Sequence, residues 1–310
     1  MTAMTDTDTP VPMAADAAPP VPRSAMRTLY WSVRRELWEN RAIWIAPVAA
    51  AGVVMFGFLL ALARLPARFP APRPGHHAVT MPPPEAPYAF AAAVILVTAA
   101  ITGLFYCLGA LGAERRDRSI LFWKSLPVSD TVTVASKLVV PMVVLTAVTY
   151  ATIVATFSLI LGLSAAAAAV SGSPNAAALT HVDLVRMLLD LAYFGITAAI
   201  WYLPLWGWCL LIGGWARRAA FLWAVGVPIA LTVVERIAFD TGFVAHAIGA
   251  RLLGGVDQSF YEAPHPKGTW GEPHPDLAGF LASPGLWIGL AVGAVLVAAA
   301  IWQRRYRDPV

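Results

Sequence analysis

Long apolar runs dominate the chain, and the short segments between them hold most of the charged residues. A helix that crosses the hydrocarbon core of a bilayer needs about 20 mostly apolar residues. Runs of this length predict six spans, at residues 43–65, 88–113, 132–164, 186–213, 218–236 and 284–303. Strict alternation over segments of about ten residues is absent, which argues against a transmembrane β-barrel. The predicted fold class is an all-α integral membrane protein.

Two of these runs raise a question about helix geometry. The third continues in apolar residues to Val170, which is too long for one perpendicular span. It must tilt, kink near Pro141, or continue as a helix beyond the membrane. The fourth contains Pro204, a candidate kink.

Composition agrees with a membrane protein, because only 13% of the 310 residues are charged and 58% are hydrophobic. A soluble domain has about a quarter of its residues charged. The basic residues behind the net charge of +4 lie beside the apolar runs, so membrane topology explains them and no nucleic-acid partner is expected. Cys107 and Cys209 both lie inside apolar runs, where they are expected to pack as small apolar side chains.

The distribution of Lys and Arg predicts the orientation. These residues concentrate before the first span, between the second and third, between the fourth and fifth, and after the sixth. The positive-inside rule then places both termini in the cytoplasm of a cell whose inner membrane holds the protein. Residues 1–23 are predicted to be a disordered cytoplasmic tail, and residues 237–283 a large external region.

Residues 24–42, just before the first span, are predicted to form an amphipathic interfacial helix. Tyr30, Val33 and Leu37 recur at helical spacing, and Trp31 and Trp38 lie beside them. Tryptophan is common at the depth of the lipid headgroups, so this helix is expected to lie on the membrane surface.

The cytoplasmic segment 114–130 combines charges, a short apolar and aromatic stretch, and a proline stop. A loop this short has no need for the exposed Ile120, Leu121, Phe122 and Trp123, so these side chains need a partner. The residues alone leave two interpretations open, the membrane surface or a groove on another protein.

This segment resembles the corresponding loop of ABC-2 type transporter permeases. The resemblance rests on Glu114-Arg115, on Ser119-Ile120-Leu121-Phe122, on the stretch from Ser125 to Ser129, and on the following Lys137. The commoner version in that family has an acidic residue, Gly and Thr where this chain has Asp117-Arg118-Ser119.

The resemblance implies that the segment is a coupling helix that docks on a separate ATPase subunit. It also implies that residues 24–42 are an amphipathic connecting helix, which lies on the cytoplasmic membrane surface against that ATPase subunit. The chain would then be a permease subunit of an exporter, paired with a second copy or a paralogue, and not itself an enzyme. ATP and magnesium would bind to the partner, and no cofactor to this chain. The chain indeed has no Gly-x-x-x-x-Gly-Lys-Ser/Thr phosphate loop. The coupling residues expected from the resemblance are Glu114, Arg115, Arg118, Ile120, Leu121, Phe122, Trp123, Leu126 and Pro127.

Charged residues near the outer ends of spans support an alternative, a membrane-embedded enzyme or stand-alone carrier. Asp183, Arg186 and Asp190 share one helix face, and Glu235 ends the fifth span. Intramembrane charge is often functional, but solvated helix ends explain the same pattern. A third hypothesis is a membrane anchor or regulator that transports nothing.

Aromatic side chains around the fourth span also have two interpretations. Trp201, Tyr202 and Trp206 either line a path for an amphipathic substrate or serve as an interfacial belt and packing residues. The external histidines, such as His265 and His274, have prolines as neighbours and no fixed scaffold, so no metal site is predicted.

Overall fold

The computed structural model describes residues 25–68, 83–116, 129–172, 174–216, 218–261 and 274–306. These residues are nearly all helical, and six helices are long and apolar enough to cross a membrane. The six candidate spans are Ala42–Arg64, Ala86–Gly112, Asp130–Ser171, Leu184–Trp201, Ala220–Phe239 and Pro284–Tyr306. The helical class and the number of spans are therefore confirmed, and the chain is a multi-pass membrane protein.

The described elements have the following bounds. In chain order the elements are α1 Ala25–Glu39, α2 Ala42–Arg68, α3 Ala86–Arg116, α4 Asp130–Val139, a π-helical turn Val140–Val144, α5 Leu145–Ser171, α6 Pro174–Ala178, α7 Leu184–Trp201, α8 Leu203–Trp215, α9 Ala220–Phe239, α10 Phe243–Ser259, β1 Phe260–Tyr261, β2 His274–Pro275, α11 Leu277–Ala282 and α12 Pro284–Tyr306. The predicted tail 1–23 and most of the segment 114–130 lie outside the described residues.

The third span is one helical run of 42 residues, made of α4, the π turn and α5. At the usual rise it is about 63 Å long, twice the thickness of the hydrocarbon core. Pro141 lies in the π turn, and its nitrogen has no hydrogen to donate to the carbonyl one turn earlier. The π turn is marked by the N–H of Leu145, which donates to the carbonyl of Val140, five residues before it. Gly172 ends the run in the left-handed conformation, at φ 60°.

The sequence predicts one span at residues 186–213 with a kink at Pro204. The structure instead has two separate helices over this range, α7 and α8. Tyr202 separates α7 from α8, with φ −85° and ψ 8°, and Pro204 lies in the first turn of α8. Pro204 cannot donate to the carbonyl one turn earlier, so the helical ladder is interrupted here.

Helix α8 packs against α3 on one side and α12 on the other, with glycines at both contacts. A Cβ atom on Gly213 would lie 2.5 Å from the carbonyl oxygen of Leu108, and one on Gly112 would lie 2.8 Å from that of Gly213. A Cβ on Gly207 would lie 3.3 Å from the carbonyl oxygen of Gly293 in α12. Small residues let the backbones of helices approach closely within a membrane.

The region between α9 and α12 is held by short polar contacts. The Glu235 carboxylate accepts hydrogen bonds from the backbone N–H groups of Phe243 and Val244, at 2.8 and 2.7 Å, and from the Thr241 hydroxyl. It thereby caps the start of α10. Strands β1 and β2 pair as a two-residue antiparallel ladder before α11.

Replacing Gly213 with alanine is expected to lower stability, because the new methyl group would overlap the α3 backbone. Overpacking of this kind costs about 1–3 kcal/mol. The control is Gly109→Ala on α3, where a Cβ atom has nothing within 4 Å and alanine favours the helix. Thermal unfolding in detergent should show a lower melting temperature for Gly213→Ala alone, and equal melting temperatures would contradict the close packing.

Candidate functional site

A buried carboxylate lies at the end of the bundle from which the predicted coupling segment begins. Glu36 is on the inner face of α1 and only 2% exposed, and a buried charge needs charged or hydrogen-bonding partners. The ammonium group of Lys137 in α4, also 2% exposed, donates to Glu36 Oε1 at 2.8 Å. The hydroxyl of Tyr106 in α3 donates to Glu36 Oε2 at 3.0 Å.

Two further side chains complete this arrangement, which we call the Glu36 cluster: Arg35, Glu36, Asn40, Tyr106 and Lys137. Arg35 Nη2 lies 3.3 Å from Glu36 Oε1, and the amide of Asn40 donates to the backbone carbonyl of Glu36 at 3.1 Å. The cluster joins α1 to α3 and α4, three elements that are far apart in the sequence.

A second ion pair holds the first residue of α4. The Nε atom of Arg304 in α12 lies 3.0 Å from Asp130 Oδ1, and Arg304 is 6% exposed. The hydroxyl of Ser129 accepts a hydrogen bond from the N–H of Val132 and caps the helix. The residues that follow the predicted coupling segment are thus tied to both α1 and α12.

The first and the last described helices therefore meet at one end of the bundle. Both α1 and the last turns of α12 contact α4, through Glu36–Lys137 and Asp130–Arg304. An even number of spans requires this geometry.

The Glu36 cluster holds α1, α3 and α4 in position relative to one another. It holds opposite charges in an apolar setting, and removing one partner of such a pair costs about 3–5 kcal/mol. In the part of the chain that the structure describes, no group of three or more His, Cys, Asp or Glu side chains is arranged to hold a metal ion.

The predicted coupling residues lie at the edge of the described structure. Glu114 and Arg115 fall in the last turn of α3. Arg118, Ile120, Leu121, Phe122, Trp123, Leu126 and Pro127 lie outside the described residues. Both flanks of the segment, α3 up to Arg116 and α4 from Asp130, are described.

The residues predicted for the interfacial helix point in two directions. Val33 and Leu37 pack against the core of the bundle, on the side of α1 that carries Glu36. Tyr30, Trp31 and Trp38 are exposed, by 60%, 52% and 72%. Helix α1 therefore has a packed face and a separate aromatic face.

Three aromatic side chains make contacts between helices, namely Trp201, Tyr202 and Trp206. Trp206 is buried, and its ring packs within 3.0 Å of the position of a Cβ on Gly103. The indole N–H of Trp201 donates to the carbonyl of Arg251 at 3.0 Å, and the Tyr202 hydroxyl donates to that of Leu252 at 3.1 Å. These contacts fit the packing interpretation of the three aromatics.

Arg251 of α10 occupies the same corner. Its guanidinium lies 4.2 Å from the centre of the Trp201 ring, and Nη2 donates to the carbonyl of Gly285 at 3.1 Å. A Cβ atom on Gly289 would overlap this guanidinium in its present position, so the side chain would have to move if residue 289 were larger.

The charged residues of the enzyme or carrier alternative make local contacts. The Asp183 carboxylate caps α7 by accepting from the N–H of Arg186 at 3.0 Å. Arg186 and Asp190 approach to 3.9 Å on the surface of α7, and Glu235 caps α10. Helix capping and a surface pair account for these four side chains.

Comparison with protein-family models, with curated proteins and with solved structures finds no match for this chain. The function must therefore be argued from the residues and their geometry.

Breaking the Glu36–Lys137 pair is expected to destabilise the protein. Glu36→Leu and Lys137→Met each leave one buried charge without its partner, at a cost of about 3–5 kcal/mol. The double variant Glu36→Leu/Lys137→Met removes both charges and should recover much of the loss. Glu39→Gln, on the same helix but with a side chain 55% exposed, is the control.

Melting temperatures in detergent measure these effects. Strictly additive losses in the double variant, or single variants no less stable than Glu39→Gln, would show that the pair contributes no coupling energy.

Proposed function

We propose that this chain is the membrane-spanning permease subunit of an ATP-driven ABC-2 type exporter. A separate ATPase subunit binds and hydrolyses ATP with magnesium, and docks on the segment 114–130 from the cytoplasm. Two permease subunits, identical or paralogous, form the transport pathway. The proposal rests on the resemblance of the loop and on the geometry of its flanks.

The anchoring of α4 is the observation that carries the proposal. The segment with the apolar residues Ile120 to Trp123 leads directly into α4. The first residue of α4, Asp130, is paired with Arg304 of α12, and Lys137 in its last turn is paired with Glu36 of α1. Glu36 in turn accepts a hydrogen bond from Tyr106 of α3. A segment that merely turned the chain at the membrane surface would have no use for two ion pairs at its exit.

This geometry supports a mechanism in which movement, and no covalent step on this chain, links ATP hydrolysis to transport. A rigid-body shift of the docked segment would act on α4 and, through the ion pairs, on α1 and α12 together. Because α4 continues through the π turn into α5, the same shift reaches the opposite side of the membrane. Alternating exposure of a path between the two subunits follows from such tilting.

The cytoplasmic placement of both termini belongs to the same proposal. The end of the bundle that holds α1 also holds Arg304 and Arg305 of α12. The positive-inside rule supports placing this end in the cytoplasm.

Photo-crosslinking tests the docking step in cells that make the full chain. A photoreactive amino acid at Phe122 or Trp123 should crosslink to a protein that contains a phosphate-loop motif, identified by mass spectrometry. The same amino acid at Trp287, which is 59% exposed in the first turns of α12 near the other end of the bundle, is the matched control. Phe122→Asp or Trp123→Asp should abolish co-purification of that ATPase, because a charge is costly in an apolar groove.

Crosslinks from Phe122 and Trp123 to lipid alone would overturn the proposal. Unchanged ATPase co-purification with Phe122→Asp and Trp123→Asp would do the same. The first result favours a segment that lies on the membrane surface.

A further inference from the structure

We infer that the outer face of α1 is a recognition stripe for anionic phospholipid headgroups, built by Arg27, Trp31, Arg34 and Trp38. This Arg–Trp stripe is distinct from the Glu36 cluster, which lies on the opposite side of the same helix. The inference does not depend on the proposed transport function.

The spacing places the four side chains on one face. They follow one another at intervals of four, three and four residues, which is the period of a single helical surface. All four are exposed, and the two indoles are exposed by 52% and 72%. The inner face, with Val33, Glu36 and Leu37, is packed against the bundle.

Arg34 lies over the rings of both tryptophans. Its guanidinium carbon lies 5.1 Å from the centre of the Trp31 ring and 5.6 Å from that of Trp38. A guanidinium that contacts ring faces can still donate hydrogen bonds from its in-plane N–H groups. Those groups match the oxygens of a phosphate in paired geometry.

The stripe carries positive charge, and neither acidic residue of α1 lies on its face. Glu36 is buried against Lys137, and Glu39 lies off the stripe, within 3.3 Å of Arg35. Arg41, in the turn between α1 and α2, is exposed and adds a further positive charge at the same end. An anionic surface is therefore the complementary partner.

The position of α1 favours lipid over protein as that partner. Only Asn40 and Arg41 separate α1 from α2, whose span begins at Ala42, so the stripe lies within a short distance of the headgroup layer. Tryptophan and arginine together are typical of helices in this layer, where the indole contacts the acyl boundary and the cation contacts phosphate. Water alone would leave two large indoles without an apolar contact.

Lipid photo-labelling tests the stripe on the full-length protein. The protein is reconstituted in nanodiscs with equal parts of phosphatidylcholine and phosphatidylglycerol, and one of the two lipids carries a photoreactive headgroup. Labelling of the α1 peptide should favour phosphatidylglycerol, and removal of each arginine should reduce that preference by about fivefold. The variants are Arg27→Gln, Arg34→Gln and the two combined.

Matched variants separate a specific stripe from general positive charge. Arg305→Gln removes an exposed arginine at the same end of the bundle and should leave α1 labelling unchanged. Arg27→Lys/Arg34→Lys keeps the charge but loses the planar stack, and should retain an intermediate preference. Melting temperatures equal to wild type show that the variants are folded, as expected for exposed side chains.

Equal labelling of α1 by the two lipids would overturn the inference, and so would an equal loss of labelling in Arg305→Gln. A photoreactive amino acid at Trp38 in cells provides an independent readout. Crosslinks from it to a protein in place of lipid would assign this face to a partner subunit and reject the lipid stripe. Neither result affects the docking test at Phe122 and Trp123.

Discussion

Two opposite charges, 2.8 Å apart and almost fully buried, hold the surface helix α1 on the membrane bundle. The Glu36–Lys137 pair, together with the packed Val33 and Leu37, fixes which side of α1 faces inward, so Tyr30, Trp31 and Trp38 face outward. It also places the last turn of α4 against α1, where Tyr106 of α3 donates to Glu36. A hydrophobic contact of the same area would hold the helix less specifically, because apolar side chains tolerate sliding and charges at hydrogen-bond distance do not.

The rest of the bundle is built in a different way, through close contacts of the backbone. Gly112 with Gly213, and Gly207 with Gly293, bring α8 near to α3 and α12 without large side chains between them. Polar side chains appear where helices end, as Glu235 does at the start of α10 and Asp183 at the start of α7. Ionic contacts therefore position the ends of helices, and glycine contacts set the distances between their middles.

The number of spans was predictable because the thickness of a bilayer sets the length of an apolar run. The effect of each proline was not. Pro228 lies inside α9, Pro141 lies in a π turn of an unbroken helix, and Pro204 follows a break at Tyr202. Before Pro228, the freed carbonyl of Ala224 accepts from the indole N–H of Trp208 in α8, a partner from another helix that the local sequence does not show.

The Glu36 cluster was also only partly predictable from the sequence. Glu36 looks like one more polar residue of an amphipathic helix, although its place between Val33 and Leu37 on the packed side was a visible signal. Its burial depends on Lys137, which is 101 residues away. The exposed tryptophans were recognised from sequence, but their alternation with Arg27 and Arg34 gained meaning only when the opposite face proved to be packed. The coupling residues stay a prediction, since most of them lie outside the described part of the chain.

The unbroken run from Asp130 to Ser171 has a mechanical consequence. From the π turn to Ser171 it extends about 40 Å, so a tilt of only about 10° at the turn would displace its far end by about 7 Å. The short segment before the turn, α4, carries both ion pairs, and the long segment after it, α5, reaches across the membrane. The tilt would centre on the π turn around Pro141, because a helix bends most easily where its hydrogen-bond pattern is interrupted. A small displacement of the short segment at one surface would in this way become a larger displacement at the other.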